Sequence, residues 1–252
     1  MPTIKHWRFI FVLFIFATLF SFSEKVFAST IVTDDIFEDT IWSLSESPFV
    51  LNDYIYVVTG ATLTIEPGVI IKSNPGVGGL NVWGSLYAEG TSDNHIYFTS
   101  LWDDSVGGDT NEDGGATVPV LNSASSRNGL FGSLFFYNAE DVSLNNVDIS
   151  FSRDGFEFWS TDASVSNLKG RNNQHDLNIW EDSNISLSGG DFYGSYFESV
   201  YLVNSTLAGD HVLLDSTQRW EGYLTFNSDL FLIDSVIQNV RGEGIGAEGP
   251  GK

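Results

Sequence analysis

The sequence predicts an all-β fold: a three-sided parallel β-helix, or solenoid, whose short strands wind around one core in coils of about 22 residues. Three observations support this prediction. The composition favours strands and turns, and no window shows sustained helical periodicity. Apolar four-residue runs recur every 21 to 23 residues through the second half. Each repeat contains three apolar strand signals, one for each side of a coil.

The chain begins with a pattern typical of a secretory signal peptide, residues 1–28. Lys5 and Arg8 precede an apolar run, and Ala28 closes a short segment of the kind that a signal peptidase reads. The run is shorter than the roughly 18 residues that a spanning helix needs, although a membrane anchor is the alternative. We therefore expect a secreted or cell-surface protein with no transmembrane span in the mature chain.

The net charge limits the classes of binding partner, and the cysteine content limits the sources of stability. The formal net charge is −22, and there is no cysteine. Such a surface repels nucleic acid and anionic lipid, and it attracts cations such as calcium. An exported chain without disulfides must be stabilised by packing and backbone pairing, which a long repetitive fold can supply.

The stretch from Val57 to Lys72 shows the pattern expected of each coil, which is an alternating strand followed by a turn and a second strand. Leu63 and Ile65 alternate with polar residues, as in a strand with one buried face. Pro67-Gly68 then turns the chain into a further β-rich run. The connections in this region are too short for crossover helices, so we interpret the stretch as an early coil with a corner at Pro67-Gly68.

The same region resembles a known family. Residues 60–69 read Gly-Ala-Thr-Leu-Thr-Ile-Glu-Pro-Gly-Val, and two further β-rich segments follow at residues 84–91 and 96–100. This pattern is similar to the opening coils of exported bacterial right-handed parallel β-helix repeat proteins of the pectate-lyase-like superfold. The close match covers roughly residues 42–119. The resemblance implies a right-handed coil, but similar coils carry adhesins, stalks and carbohydrate-active enzymes.

The second half predicts which side chains form the core. Two columns of apolar residues, one coil apart, should point inward. They are Leu134, Phe156, Leu177 and Val200, and Phe136, Phe158, Ile179 and Leu202. Thr225 falls where an apolar residue is expected, so the register of the last coil stays open.

We divide the chain after the signal peptide into two parts. Residues 29–240 form the β-helix domain, which carries an inserted acidic loop at residues 103–118. Residues 241–252 are glycine-rich and are predicted to form a flexible tail. The alternative is that the chain is a fragment of a longer β-helix protein, because solenoids usually need a cap.

The acidic loop is a candidate calcium site. Asp109, Asn111 and Asp113 alternate as in the first half of a calcium loop, where oxygen ligands converge on a hard cation. The second half of that motif fails, because Val120 stands where a bidentate Glu belongs. Further ligands would come from Asp103 or Asp104, and a plain acidic loop is the alternative.

Tyr137, Trp159 and Trp180 occupy equivalent positions in three coils and are candidate carbohydrate-binding residues. Facing solvent, they would form a platform for sugar rings. At a corner facing inward, they would be core. Val203 and Phe226 continue the column and favour the inward position.

No catalytic constellation stands out in the sequence. Several carboxylates of the second half could approach one another across coils, as glycoside hydrolysis requires. Nothing singles out a pair among Asp154, Glu157, Asp162, Asp176, Glu181, Asp182 and Asp191. His175 belongs to a set of basic residues without a recognisable motif.

The sequence therefore favours an exported structural or adhesive surface module that contacts polysaccharide or a cell-surface component, and leans against an enzyme. The alternative is a polysaccharide lyase or glycoside hydrolase with a groove along the β-helix. Bound calcium is the cofactor that the acidic loop implies.

Overall fold

The computed structural model describes residues 29–121, 129–219 and 221–249, and the predicted signal peptide lies outside these ranges. The described residues form 21 strands and a 3-10 turn at Leu44–Glu46. No helix in these ranges is long and apolar enough to cross a membrane.

The chain is an all-β parallel solenoid of about 10 turns, with equivalent positions about 22 residues apart, which confirms the predicted fold class. Every strand pair is parallel, as stacked coils require. The strands are β1 Thr30–Val32, β2 Thr40–Trp42, β3 Phe49–Leu51, β4 Tyr54–Val57, β5 Thr62–Ile65, β6 Ile70–Ser73, β7 Gly79–Val82, β8 Ser85–Glu89, β9 Ile96–Ser100, β10 Phe131–Tyr137, β11 Asp141–Ser150, β12 Ser152–Trp159, β13 Ala163–Arg171, β14 Leu177–Trp180, β15 Asn184–Tyr193, β16 Val200–Val203, β17 Thr206–Asp215, β18 Tyr223–Phe226, β19 Asp229–Ile233, β20 Val236–Gln238 and β21 Ile245–Glu248.

Two sheets run along the stack. The eight-stranded sheet has the order β4-β7-β10-β12-β14-β16-β18-β21, one strand from each of eight coils. The 13-stranded sheet contains the long strands β11, β13, β15 and β17, which bend partway along. Before the bend, β11 pairs with β8; after it, β11 pairs with β9. One long strand thus spans two sides of its coil.

Residues in the left-handed backbone conformation mark the corners. Three columns recur from coil to coil, with φ between +45° and +77°. Each coil therefore turns three times, consistent with three sides. The first column is Asn138, Ser160, Glu181, Asn204 and Asn227; the second is Asn146, Asn167, Gly189, His211 and Asp234; the third is Phe151, Asn172, Gly194, Ser216 and Asn239. Asparagine and glycine predominate because they tolerate this conformation.

Both predicted core columns point inward. All eight of their side chains have no exposed surface, and the rings of Phe136 and Phe158 stack at 4.8 Å between centroids. The register continues into the last coils, where Tyr223 and Thr225 are buried and Leu224 and Phe226 lie on the outside. Thr225 therefore points inward although it is polar.

The predicted tail is wrong in part. Ile245–Glu248 forms β21, which pairs with β18 in parallel. The backbone ladder of β18 offers hydrogen-bond partners that a glycine-containing strand can use as well as any other, since these bonds need no side chain. At the other end, Val57 to Lys72 forms a coil as expected: β5 and β6 flank Gly68, which has φ +84°.

Phe158 should be a main determinant of stability. Phe158→Ala removes a fully buried ring from the stack and should lower the free energy of unfolding by about 3–5 kcal/mol in urea titrations. Phe231, which is 59% exposed, is the matched control. Phe231→Ala should cost no more than about 0.5 kcal/mol, and equal losses for the two variants would refute the inward assignment.

Candidate functional site

The aromatic column faces outward, so the inward interpretation was wrong. Tyr137 is 42% exposed, and Trp159 and Trp180 are half-buried, whereas the residue before each of them is fully buried. Strict strand alternation decides the orientation, because the corner comes only at the next residue. Trp83 follows Val82 in the same way and extends the column.

The column is not a flat platform. The rings of Trp159 and Trp180 stack on one another, with centroids 5.6 Å apart and planes within 15°. Trp180 also meets Tyr201 edge to face at 4.9 Å. These contacts cover part of each indole face, so the column contributes ring edges and an N–H group to its surroundings.

Beside the column lies a cavity of about 290 Å³, which we call the polar cavity. Equivalent positions of successive coils build it. One set is a single outward ladder across β12, β14, β16 and β18. Each residue of the other set stands two positions before a residue of the core column that contains Phe156. The first set is Glu157, Asn178, Tyr201 and Leu224; the second is Asp154, His175 and Glu198; Trp180 completes the lining.

A β-bulge places Asp154 at the cavity. Phe131 pairs with Ser152 but Ser133 pairs with Gly155, so β12 has one residue more than β10 over this interval. Gly155 has φ +61°, and a Cβ there would lie 2.2 Å from the carbonyl oxygen of Asp176. The bulge therefore requires glycine, and it re-aims the preceding side chain.

Three buried polar atoms in the lining have no hydrogen-bond partner among the described residues: His175 Nδ1, Asn178 Oδ1 and Trp180 Nε1. Asn178 is 4% exposed, and its Nδ2 donates to the backbone oxygen of Asp154 at 3.2 Å. That bond fixes the orientation of the amide and leaves Oδ1 free. Unpaired buried polar atoms are costly, so their convergence on one cavity is typical of a ligand site.

The electrostatics of the cavity raise the pKa of Glu157. Burial, followed by the negative charge of Asp154, raises the pKa of Glu157 to about 7, against the opposing effect of Arg153. Arg153 Nε lies 2.5 Å from Asp154 Oδ2, so the guanidinium is engaged mainly by the other carboxylate. At neutral pH a large fraction of Glu157 is a protonated acid.

His175 and Glu198 form a second buried pair. The His175 Nδ1 to Glu198 Oε2 distance is 3.4 Å, longer than a charge-assisted hydrogen bond and without its geometry. Burial lowers the pKa of His175 and raises that of Glu198. Both shifts favour the neutral forms, so His175 supplies an uncharged imidazole to the cavity at pH 7.

The larger grooves are less suited to a ligand. One of about 660 Å³ runs along a corner and is lined by Asn184, Asn204 and Asn227 among others. Their side chains already bond to neighbouring coils: Asn227 Nδ2 donates to Asn204 Oδ1 at 2.9 Å, and Asn184 Nδ2 donates to Asp162 Oδ1 at 2.8 Å. These bonds hold the corner together.

The structure distinguishes among the seven carboxylates that the sequence could not rank as candidate catalytic residues. Asp154 and Glu157 line the polar cavity. Asp176 is fully buried and is not a lining residue; burial raises its pKa to about 6, against hydrogen bonds from Ser195 and Asn173. Asp162 bonds at a corner, Asp191 pairs with Arg171, and Glu181 and Asp182 lie at a corner.

Sequence reasoning missed Glu198 and the role of His175. Their signal was positional: Asp154, His175 and Glu198 each stand two residues before an inward residue, namely Phe156, Leu177 and Val200. That offset could have been tabulated from the repeats.

The acidic loop is anchored by Lys72, which the sequence did not single out. Lys72 has no exposed surface, and its Nζ donates to the backbone oxygens of Asp103 and Gly108 at 2.8 and 2.9 Å. Burial lowers its pKa, against the attraction of nearby carboxylates. The ammonium group of Lys72 therefore places one positive charge at the base of the acidic loop.

Three of the five predicted calcium ligands come together. The carboxylates of Asp104, Asp109 and Asp113 offer oxygens within 4.8 Å of one another. Asp103 is less suited, because Thr99 and Ser105 donate to its two oxygens. The Nδ2 of Asn111 donates within the loop, and its Oδ1 is free among the described residues. Burial and the charge of Asp109 raise the pKa of Asp104, a repulsion that a cation would relieve.

Comparison with known proteins adds little. No family model and no solved structure matches the chain. A curated relative, Protein bark beetle of Drosophila melanogaster, is 46% identical over 66 residues. The match covers 26% of this chain and 2% of that protein. The activity of the relative is therefore no guide to this chain.

Calcium should bind to the loop through Asp104. Titration calorimetry of the mature protein should give heat, and at about 100-fold excess over the dissociation constant the protein should gain about 2.7 kcal/mol. Asp104→Asn should abolish both effects, while Asp34→Asn, at an exposed position outside the loop, should change neither. Absence of heat together with an unchanged melting temperature would remove the site.

Proposed function

We propose that this chain is an exported β-solenoid module that binds polysaccharide on the outer face of its eight-stranded sheet. The observation that carries the proposal is the polar cavity, in which three buried atoms, one of them Trp180 Nε1, have no hydrogen-bond partner among the described residues. Such atoms take a partner from outside the chain, either a water molecule or a ligand that displaces it. Export rests on the signal pattern of residues 1–28.

A sugar matches the chemistry of the lining. Each sugar hydroxyl both donates and accepts, so it can take the Trp180 Nε1 hydrogen and give its own to Asn178 Oδ1. The apolar face of a sugar ring suits the aromatic wall formed by Trp180 and Tyr201, whose ring centroids are 4.9 Å apart. A volume of about 290 Å³ is at the low end for ligand pockets, which suits one unit of a longer chain.

Trp180→Phe is the sharpest test of binding, because it removes the N–H donor and keeps an aromatic ring. Affinity for a bound oligosaccharide should fall about two- to tenfold by calorimetry, as expected for one hydrogen bond. Trp83→Phe is the matched control, since Trp83 stands in the same outward column away from the cavity. Equal effects of the two substitutions, or no binding to any neutral, acidic or amino oligosaccharide, would overturn the proposal.

Glycoside hydrolysis is a second candidate, favoured by the protonated state of Glu157. A carboxyl group with a pKa of about 7 can donate a proton to a leaving oxygen, and Asp154 on the same strand supplies a second carboxyl group. This arrangement is what distinguishes the pair from the other surface carboxylates.

Cleavage assays separate the two candidates. If the cavity hydrolyses glycosides, Glu157→Gln should lower the rate of reducing-end release by at least about 100-fold, whereas Glu181→Gln, at a corner outside the cavity, should leave it unchanged. Binding without cleavage of neutral and acidic polysaccharides, with and without calcium, supports the binding module. Cleavage that survives Glu157→Gln would refute the assignment of the acid.

A further inference from the structure

The polar cavity is rich in carboxyl groups, and the one basic side chain that the structure places in its lining is the neutral imidazole of His175. Asp154, Glu157 and Glu198 line it, and no Lys or Arg is among its described lining residues. Arg153 lies at the side, with a side chain that is 43% exposed and bonded to Asp154. The imidazole of His175 is neutral at pH 7 because burial lowers its pKa. An acidic sugar would therefore meet repulsion in this cavity.

The cavity also has more acceptors than donors. Asn178 Oδ1 is an acceptor without a partner among the described residues, and the three carboxyl groups add further lone pairs. Trp180 Nε1 is a donor without a partner among the described residues, and His175 Nδ1 donates or accepts according to the tautomer of the ring. A ligand that fits this balance must donate more hydrogen bonds than it accepts, and a protonated primary amine donates three and accepts none.

We infer that the sugar taken by the polar cavity is an amino sugar, whose protonated amine lies between Asn178 Oδ1 and the carboxyl groups of Asp154 and Glu157. This inference rests on the proposed function. It identifies the chemical class of the ligand: a polysaccharide with free amino groups rather than an acidic or fully acetylated one. The aromatic wall of Trp180 and Tyr201 contacts the ring, and the amine provides the specificity.

Insertion of the ammonium would resolve the two unfavourable features of the site. It would give Asn178 Oδ1 a charge-assisted hydrogen bond, stronger than a neutral one. It would also place a positive charge where Asp154 and Glu157 repel each other. Arg153 opposes Glu157 protonation less effectively, because its Nε is held by Asp154. Neither benefit follows from a neutral N-acetyl group.

Calorimetric titration with four probes tests the inference: a glucosamine trimer, an N-acetylglucosamine trimer, a galacturonate trimer and n-butylamine, at a pH that protonates the amines. The glucosamine trimer should bind about tenfold or more tightly than its acetylated counterpart, which corresponds to one charge-assisted hydrogen bond. The galacturonate trimer should bind weakest among the sugars. The amine without a sugar ring should bind weakly as well.

The outcomes separate the inference from the proposed function. If the acetylated or the galacturonate trimer binds as tightly as the glucosamine trimer, the amine specificity is wrong and the polysaccharide function stands. If n-butylamine binds as tightly as the trimer, the sugar part of the inference is wrong. If no sugar binds, both fail.

Variants locate the amine. Glu157→Gln keeps the shape of the side chain and removes its ionised form, so it should lower affinity for the glucosamine trimer about tenfold and affinity for the acetylated trimer by clearly less. Glu181→Gln, at a corner outside the cavity, should change neither affinity. An equal loss for both trimers with Glu157→Gln would show a role in general binding and refute the amine contact. Melting temperatures of both variants confirm that they fold.

Discussion

The structure depends on in-register backbone pairing between successive coils. Parallel ladders place each residue directly over its equivalent one coil away, about 4.8 Å apart. A column is therefore the unit of this fold: if Phe158 points inward, so do Phe136 and Ile179. Because side chains alternate, a slip of one residue would expose every core column at once and bury the carboxylate of Glu157. The core and the surface site are fixed by the same register.

The corners preserve that register by keeping the coil length nearly constant. A left-handed residue closes each turn, and asparagine or glycine adopts this conformation at low cost. Phe151, with φ +50°, is the apolar residue among these corner positions. A side chain of that size in the left-handed region costs roughly 1–2 kcal/mol. Phe151 immediately precedes β12, the strand whose bulge positions Asp154, so local strain lies next to the polar cavity.

The core could be predicted from the sequence because its apolar residues recur periodically. The polar cavity could not be predicted in this way. Apolar columns such as that of Phe158 repeat visibly, and their burial follows from alternation alone. The outward turn of Trp180 was misjudged because Val203 and Phe226, which lie on the outside, suggested an interior column. Asn178 Oδ1 is unpaired among the described residues because of the way its side-chain amide points. A hydrogen bond from Nδ2 to the backbone of the neighbouring coil fixes that orientation. No single-residue pattern reports such a bond.

Stacking imposes a rule on charge as well as on packing. Identical charges in adjacent coils of one column would stand one strand spacing apart, where repulsion is strong. Among the cavity residues Asp154, His175 and Glu198, the neutral His175 occupies the coil between the two carboxyl groups. Glu157 has no such spacer from Asp154 on its own strand, and this repulsion adds to burial, the larger cause, in raising the pKa of Glu157. In the free protein, protonation of Glu157 relieves its repulsion with Asp154. A bound cation would relieve the same repulsion while Glu157 stays ionised. The same register that stacks the core thus creates a place for positive charge on the surface.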